Sequence, residues 1–418
     1  MALLGLVARS AAASPSLTIT EALARAESGA PDVVLSVSRA ATARTEIGVA
    51  GMLQNPRVTV GTTTGSAAVF ASLFVALPLF GQRGVAMGAA EAQARVATAG
   101  VELARLDARL AVTLAWVALW QAQAELGIAR DNATRRDRIL EIAKIRYTEG
   151  AAPRLEILRV ETEARRAHGE VSAQEAQQTA AAARLAALVS DPRPSSGGER
   201  LPSGGERLPS GGERLPSGGT PLPSAAGEPR TRDGAPSDAE LEAALVEHPL
   251  LRRARALLRS TEAVVARERR DRWPVLGLQI GGAFADRNPP PNNDFNFALS
   301  ADLPLFNGAL VNRALGARDT ARVELDAVTV QARARALAAR ADHLAALRRR
   351  AALVDSVLPS ASEVAELSAE AYRAGGLDLT GTLAAEQSLS DVKLAAVRAT
   401  ADSSRALGLL EHAAGRPW

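Results

Sequence analysis

The chain has no cysteine. Disulfides, thiolate metal sites, cysteine nucleophiles and a lipid anchor on an N-terminal cysteine are therefore excluded. Aromatic residues make up only 3% of 418 positions, too few for a large globular core built on Phe, Tyr and Trp. Lysine occurs only at Lys144 and Lys393, so arginine supplies nearly all the positive charge, and the formal net charge is +3. Arginine and acidic residues are interspersed along the chain, the pattern of solvated helix faces and not of a nucleic-acid interface. The four histidines, His168, His248, His343 and His412, stand apart, with no second ligand at metal spacing. No Gly-rich phosphate loop and no His/Ser/Asp set is present. The expectation is a protein that is not an enzyme and has no cofactor and no resident metal.

Alanine, leucine and arginine dominate instead, and 47% of the chain is hydrophobic. Such a composition builds long helices packed side by side through small residues. The chain also repeats itself. Pro31 and Pro56 are 25 residues apart, as are Pro249 and Pro274. Each pair leads into an alternating segment that ends in the same letters, Leu77-Pro78-Leu79-Phe80 and Leu303-Pro304-Leu305-Phe306. A long helical run follows each and closes on Tyr-x-x-Gly, Tyr147 to Gly150 and Tyr372 to Gly375. Eight residues beyond each glycine stands a leucine (Leu158, Leu383), and eleven beyond it a glutamate (Glu161, Glu386). One structural unit has been duplicated.

The expected organisation runs as follows. Residues 1–16 are a tail, with a brief apolar run and Ser10-Ala11-Ala12-Ala13-Ser14 in the manner of a degenerate secretion signal. Residues 17–190 are the first repeat. It opens with a helix capped at Thr20, restarted at Pro31 and ended by Asn55-Pro56. A strand hairpin over 57–80 follows, with its turn near residues 64–67. Residues 58–82 carry no charge, but their alternation and Thr/Gly/Ser cluster favour two strands over a membrane helix. The long helix 83–146 comes next, 64 residues and roughly 95 Å, and must lie against other helices. A return helix over 155–190 closes the repeat. Residues 191–236 are a low-complexity linker, with Ser-Gly-Gly-Glu-Arg-Leu-Pro starting at Ser196, Ser203 and Ser210. Residues 237–418 are the second repeat: helix, hairpin 274–306, long helix 309–372 with a kink near Val357 from Pro359, and return helix 377–414. In the second hairpin Leu276, Leu278 and Ile280 alternate with Gly277, Gln279 and Gly281. Phe295, Phe297 and Leu299 likewise alternate with Asn296, Ala298 and Ser300. A strand between lipid and water has this pattern, and so does a half-buried soluble hairpin.

Four strands cannot close a barrel in lipid, because an open edge leaves backbone polar groups unpaired at several kcal/mol each. Three copies supply twelve strands. The expected fold is mostly α with a small β part: long antiparallel helical hairpins forming an α-barrel, and four transmembrane strands per chain closing a 12-stranded barrel in a homotrimer.

The ordered set of Asn55-Pro56, Leu77-Pro78-Leu79-Phe80, and Arg146-Tyr147-x-x-Gly150 with Leu155-Glu156-Ile157-Leu158 resembles the TolC-like outer membrane efflux proteins. Ala371-Tyr372-x-x-Gly375 repeats the last motif, and the resemblance spans about residues 17–414 except the linker. Glu247-His248-Pro249 and Leu79-Phe80-Gly81-Gln82-Arg83 look most like the branch serving heavy-metal pumps of the resistance-nodulation-division class. The resemblance implies a trimeric exit duct in the outer membrane, with a large periplasmic part. It would dock onto a periplasmic adaptor protein that links it to an inner-membrane pump. In such proteins the Tyr-x-x-Gly turns form the docking tip, which here means Tyr147, Gly150, Ala151, Ala152 and Leu155, and Tyr372, Gly375, Gly376, Leu377 and Leu379. A duct for secreted polypeptides and a soluble coiled-coil scaffold are the alternatives. The lipidated cysteine common in these proteins is absent here.

Overall fold

The computed structural model describes residues 16–62, 68–151, 153–189, 222–285, 293–304, 307–374 and 376–418. In the first half of the chain lie β1 (Ser16–Leu17), α1 (Ile19–Gly29), α2 (Pro31–Ala50), β2 (Arg57–Thr62), β3 (Ala68–Leu77), α3 (Gln82–Thr148) and α4 (Arg154–Val189). In the second half lie β4 (Ser224–Ala225), α5 (Asp238–Val246), α6 (Pro249–Arg270), β5 (Val275–Ala285), β6 (Asn293–Asp302) and α7 (Gly308–Ala351). A π-helical turn (Ala352–Val357), α8 (Leu358–Arg373) and α9 (Leu379–Ala414) complete it. The protein is mostly helical with a small sheet part. The Ser-Gly-Gly-Glu-Arg-Leu-Pro repeats, the turn at 63–67 and the loop 286–292 lie outside the described residues.

The described residues fall into two compact units. Those within Met1–Val34, Arg105–Leu241 and Arg335–Trp418 form a helical unit, and those within Leu35–Ala104 and Glu242–Ala334 form the unit that holds the main sheet. In the helical unit, α1 packs on α3, α4 and α9 around Trp116, Val112, Leu119 and Leu185, all fully buried. Most of the other buried positions are alanines, including Ala22, Ala26, Ala181, Ala182 and Ala401. Small side chains let these backbones approach closely. A Cβ placed on Gly408 of α9 would lie 3.0 Å from Thr113 Cγ2 of α3. The fully buried Trp116 satisfies its indole by donating from Nε1 to the Leu17 carbonyl at 2.8 Å.

Helix entry differs from the sequence reading at one point. Thr18, not Thr20, caps α1. Its hydroxyl accepts from Glu21 N at 3.3 Å, while its own N–H donates to Glu21 Oε2 at 3.0 Å. Only a residue three positions before the glutamate can make this reciprocal pair, and Thr20 is too close. The same device opens α5. Ser237 N donates to Glu240 Oε2 at 2.8 Å, and Glu240 N donates to Ser237 Oγ at 3.3 Å. Residues 222–236, compositionally part of the linker, are tied down. β4 pairs in parallel with β1, Arg230 grips Glu411 at 2.8 Å, and Arg340 donates to the Pro236 carbonyl at 3.3 Å. The strain expected from Pro359 near Val357 is taken up by the π-helical turn, after which Pro359 sits in the first turn of α8.

In the second unit β2, β3, β5 and β6 form a four-stranded antiparallel sheet in that order. The register places Val58, Leu73, Ile280 and Phe297 in one cross-strand row, and Val75, Leu278 and Leu299 in a neighbouring row on the same face. The opposite face carries Thr59, Ser72, Gln279, Asn296 and Ser300. Glycines on that second face make room for rings. A Cβ on Gly61 would fall 2.4 Å from the Phe70 ring, and one on Gly277 would fall 2.2 Å from Phe74.

The two reciprocal caps carry a pH signature. Hydrogen bonds from the Thr18 and Ser237 backbone and hydroxyl groups hold the Glu21 and Glu240 carboxyls below their ordinary values. A depressed folded-state value stabilises above the unfolded one and loses that contribution as pH falls. Thr18→Ala with Ser237→Ala is expected to reduce stability at neutral pH and to remove part of the loss seen below about pH 4.5. Thermal unfolding followed by circular dichroism between pH 7 and pH 3 reads both effects.

Candidate functional site

Tyr147-x-x-Gly150 closes α3, and the backbone explains the glycine. At the end of α3, Gly150 N donates to the Tyr147 carbonyl at 3.0 Å and Ala151 N donates to the Arg146 carbonyl at 2.8 Å. This pair of bonds needs a left-handed residue, and Gly150 has φ 75°. At the second turn Gly376 N donates to the Ala371 carbonyl at 2.9 Å, the same bond in the same place. Asp378 then caps α9 by accepting from Gly381 N at 3.1 Å. Ala152 and Gly375 lie outside the described residues.

The two turns share this bond and differ in side chains. Tyr147 is 45% exposed, and Leu155 is exposed beside it. Ile145 and Leu158 are exposed there too, so the first turn presents an apolar surface wider than the motif alone indicates. Their signal is an apolar residue two positions before the tyrosine and another eight after the glycine. Gly150 and Ala151 are exposed, as is Gly376, and Leu377 is half-buried. Tyr372 is only 1% exposed, and Leu379 is buried with it against Ile139, Ala143 and Val160. Any part these two residues have in docking therefore runs through the shape of the turn.

Tyr372 is held by two residues of the first repeat. Its hydroxyl donates to Glu156 Oε1 at 2.6 Å. The Arg146 guanidinium stands 4.8 Å over its ring and donates from Nη1 to its carbonyl at 3.2 Å. Burial, and then the Glu156 carboxylate, push the Tyr372 phenol well above its ordinary value. The paired glutamates behave likewise. Glu161 is solvated and bonds Arg165 on its own helix, whereas Glu386 is buried and meets Arg135 of α3 at 3.4 Å.

Above these turns α3, α4 and α9 enclose a polar groove of about 700 Å³, lined by Glu125, Arg136, Glu163, Gln174, Gln387 and Arg398 among others. Arg136 is buried there. Its Nη2 donates to Gln387 Oε1 at 3.4 Å, and burial, opposed by Glu163 and Glu386, lowers its affinity for the proton.

The second candidate surface is the apolar face of the sheet. Val58 is 68% exposed and Phe297 75%, with Val60, Leu73, Leu278, Ile280, Phe295 and Leu299 also exposed. A contiguous face of this kind marks contact with lipid or with another protein surface. β2 and β6 each pair on one side only, so the sheet ends in two unpartnered edges among the described residues. No described helix is long and apolar enough to cross a membrane.

The fold recurs in solved outer membrane channels. The Campylobacter jejuni CmeC outer membrane channel matches with a TM-score of 0.75 at 15% identity, over 95% of this chain and 85% of that one. The Vibrio cholerae outer membrane protein VceC matches with a TM-score of 0.71 at 15% identity, over 96% of each chain. The Neisseria gonorrhoeae MtrE outer membrane channel matches with a TM-score of 0.69 at 19% identity, over 95% and 89%. No protein-family model matches the sequence, and no curated protein sequence does.

Tyr372→Phe removes one hydrogen bond to a charged partner and is expected to cost about 1.5–3 kcal/mol. The raised phenol value means that stability is complete below about pH 10 and declines above it, as the unfolded chain's tyrosine ionises first. The variant is expected to lose that alkaline slope, read by denaturant titration from pH 8 to pH 11.

Proposed function

We propose that the chain, which has the fold of TolC-like outer membrane channels, is the exit duct of a tripartite efflux system. Three copies would close a 12-stranded barrel in the outer membrane and pass small solutes or metal ions from the periplasm to the exterior. An inner-membrane pump would feed the duct through a periplasmic adaptor. One observation carries the reading: a four-stranded sheet with an exposed apolar face and, among the described residues, two unpaired edges. Backbone groups at such edges need partners in hydrocarbon. Identical copies supply them, β2 of one against β6 of the next. The likeness to CmeC and MtrE, both described as outer membrane channels, supports the same conclusion.

Docking is assigned to the helix turns. Tyr147, Gly150, Ala151 and Leu155 of the first turn, with Gly376 and Leu377 of the second, offer small and apolar groups to an adaptor's helical hairpin. Ala152 and Gly375 complete the two turns in sequence. Tyr372 and Leu379 hold the second turn in place from below.

The two faces of β6 provide the test. Phe297→Arg puts a charge on the lipid-facing side and is expected to cost roughly 2–4 kcal/mol if it lies near the bilayer midplane. It should deplete the trimer seen by native mass spectrometry. Ala298→Arg, one residue on, points into the duct, should leave the trimer intact, and should change single-channel conductance in planar bilayers. Equal tolerance of both substitutions, or a protein that leaves the membrane on a carbonate wash and conducts nothing, overturns the reading. Deletion of the gene separates the cargo classes: drug or metal susceptibility for an efflux duct, loss of an exported polypeptide for a secretion duct.

A further inference from the structure

Where the strands of the sheet-bearing unit meet its helices, the chain crosses one boundary repeatedly, and the crossings are tied together. Gln82, the first residue of α3, donates from Nε2 to the carbonyls of Trp273 and Pro274 at 3.4 and 3.1 Å, while its Oε1 accepts from Phe80 N at 3.0 Å. Asn307 Nδ2 donates to the Asp271 carbonyl at 3.2 Å. The Phe80 and Trp273 rings lie 5.6 Å apart, and Trp273 remains 50% exposed.

Arginines gather on this layer. A Cβ placed on Gly81 would lie 3.9 Å from Arg270 Nε, and one on Gly308 would lie 3.7 Å from Arg272 Nη2. Arg83 follows Gln82 in α3, and Arg269 precedes Arg270 in α6. All four are exposed, and none forms an ion pair with a described carboxylate. The acidic groups beside them are engaged elsewhere. Glu268 is buried and held by Arg267 at 2.9 Å, and the half-buried Asp271 lies 4.0 Å from the same Arg267. Asp302, exposed at the end of β6, offsets one charge. The layer keeps an excess of unneutralised guanidinium groups beside an exposed indole, directly next to a sheet with an apolar outer face.

We infer that Arg83, Arg270 and Arg272, with Arg269 beside them, bind the phosphate headgroups of anionic phospholipids in the leaflet that borders the strand–helix boundary. The inference rests on the membrane-channel reading above. An indole half in and half out of water sits at headgroup depth. A guanidinium there meets the phosphate plane with two parallel donors, and each basic residue near an anionic surface contributes attraction that salt weakens.

The full chain, reconstituted in phosphatidylcholine vesicles with and without phosphatidylglycerol, tests this. The wild type should retain phosphatidylglycerol over phosphatidylcholine through detergent extraction, as counted by native mass spectrometry, and sodium chloride should erode the preference. The combined variant Arg83→Gln, Arg270→Gln, Arg272→Gln should lose roughly fivefold of that preference per arginine while keeping trimer mass and conductance. The same three positions changed to lysine should keep part of the preference. Conductance by both proteins with equal lipid retention overturns the inference alone. A glutamine variant that dissociates equally in both lipids also overturns it, since the arginines then serve a neighbouring copy. A wild type that conducts in neither lipid overturns the channel reading and this inference together.

Discussion

Every backbone N–H and C=O needs a partner, and a sheet edge leaves a row of them that only solvent or another strand can satisfy. β3 and β5 are paired on both sides, whereas β2 and β6 are paired on one. The side chains make the edges consequential. Alternation puts Val58, Leu73, Ile280 and Phe297 on one face and Thr59, Ser72, Gln279 and Asn296 on the other. A sheet patterned in this way suits an apolar surface on one side and a polar one on the other. The glycines of the polar face belong to the same design. Gly61 and Gly277 leave space that Phe70 and Phe74 fill, so rings pack along the sheet without bulging it.

The helices obey a different limit. α3 has 67 residues, far more than a solitary helix can stabilise by its own backbone. Its support comes from neighbours at close range, and close range requires small side chains. Buried alanines and the approach of Gly408 to Thr113 supply it. The scarcity of aromatics follows: bulky rings would hold the backbones apart. Trp116 is tolerated because it sits at one layer, where β1 approaches α3 and accepts its indole hydrogen.

The two Tyr-x-x-Gly segments match in sequence and stand in unlike surroundings. Tyr147 and Tyr372 occupy matching positions, yet one is solvated and the other buried. The difference lies in what surrounds the motif. Arg146 and Glu156 reach Tyr372, while their counterparts in the second repeat are Ala371 and Gly381, which have neither charge nor length. Tyr372 is thereby held by residues of the other segment, and Tyr147 stays solvated. Glu161 and Glu386 divide in the same sense, one on a helix surface and one against Arg135.

Much of this was legible in the chain alone, because it depends on local rules. Period-two alternation marked the strands, an unbroken run without proline marked α3, and Tyr147-x-x-Gly150 marked the reversal after it, since a left-handed glycine readily ends a helix with that pair of bonds. The cap at Thr18 is written in its spacing to Glu21, three residues on, although Thr20 offers the same residue type nearer the helix. Chemistry within a few residues sets the long helices, the four strands of the main sheet, their order and the two faces of that sheet. Packing settles which tyrosine is buried, where residues 222–236 are pinned, and that Gln82 and Arg83 meet the layer of Arg270, Arg272 and Trp273. Those outcomes depend on contacts between residues far apart in the chain, and a repeated motif carries no record of which copy its neighbours will enclose.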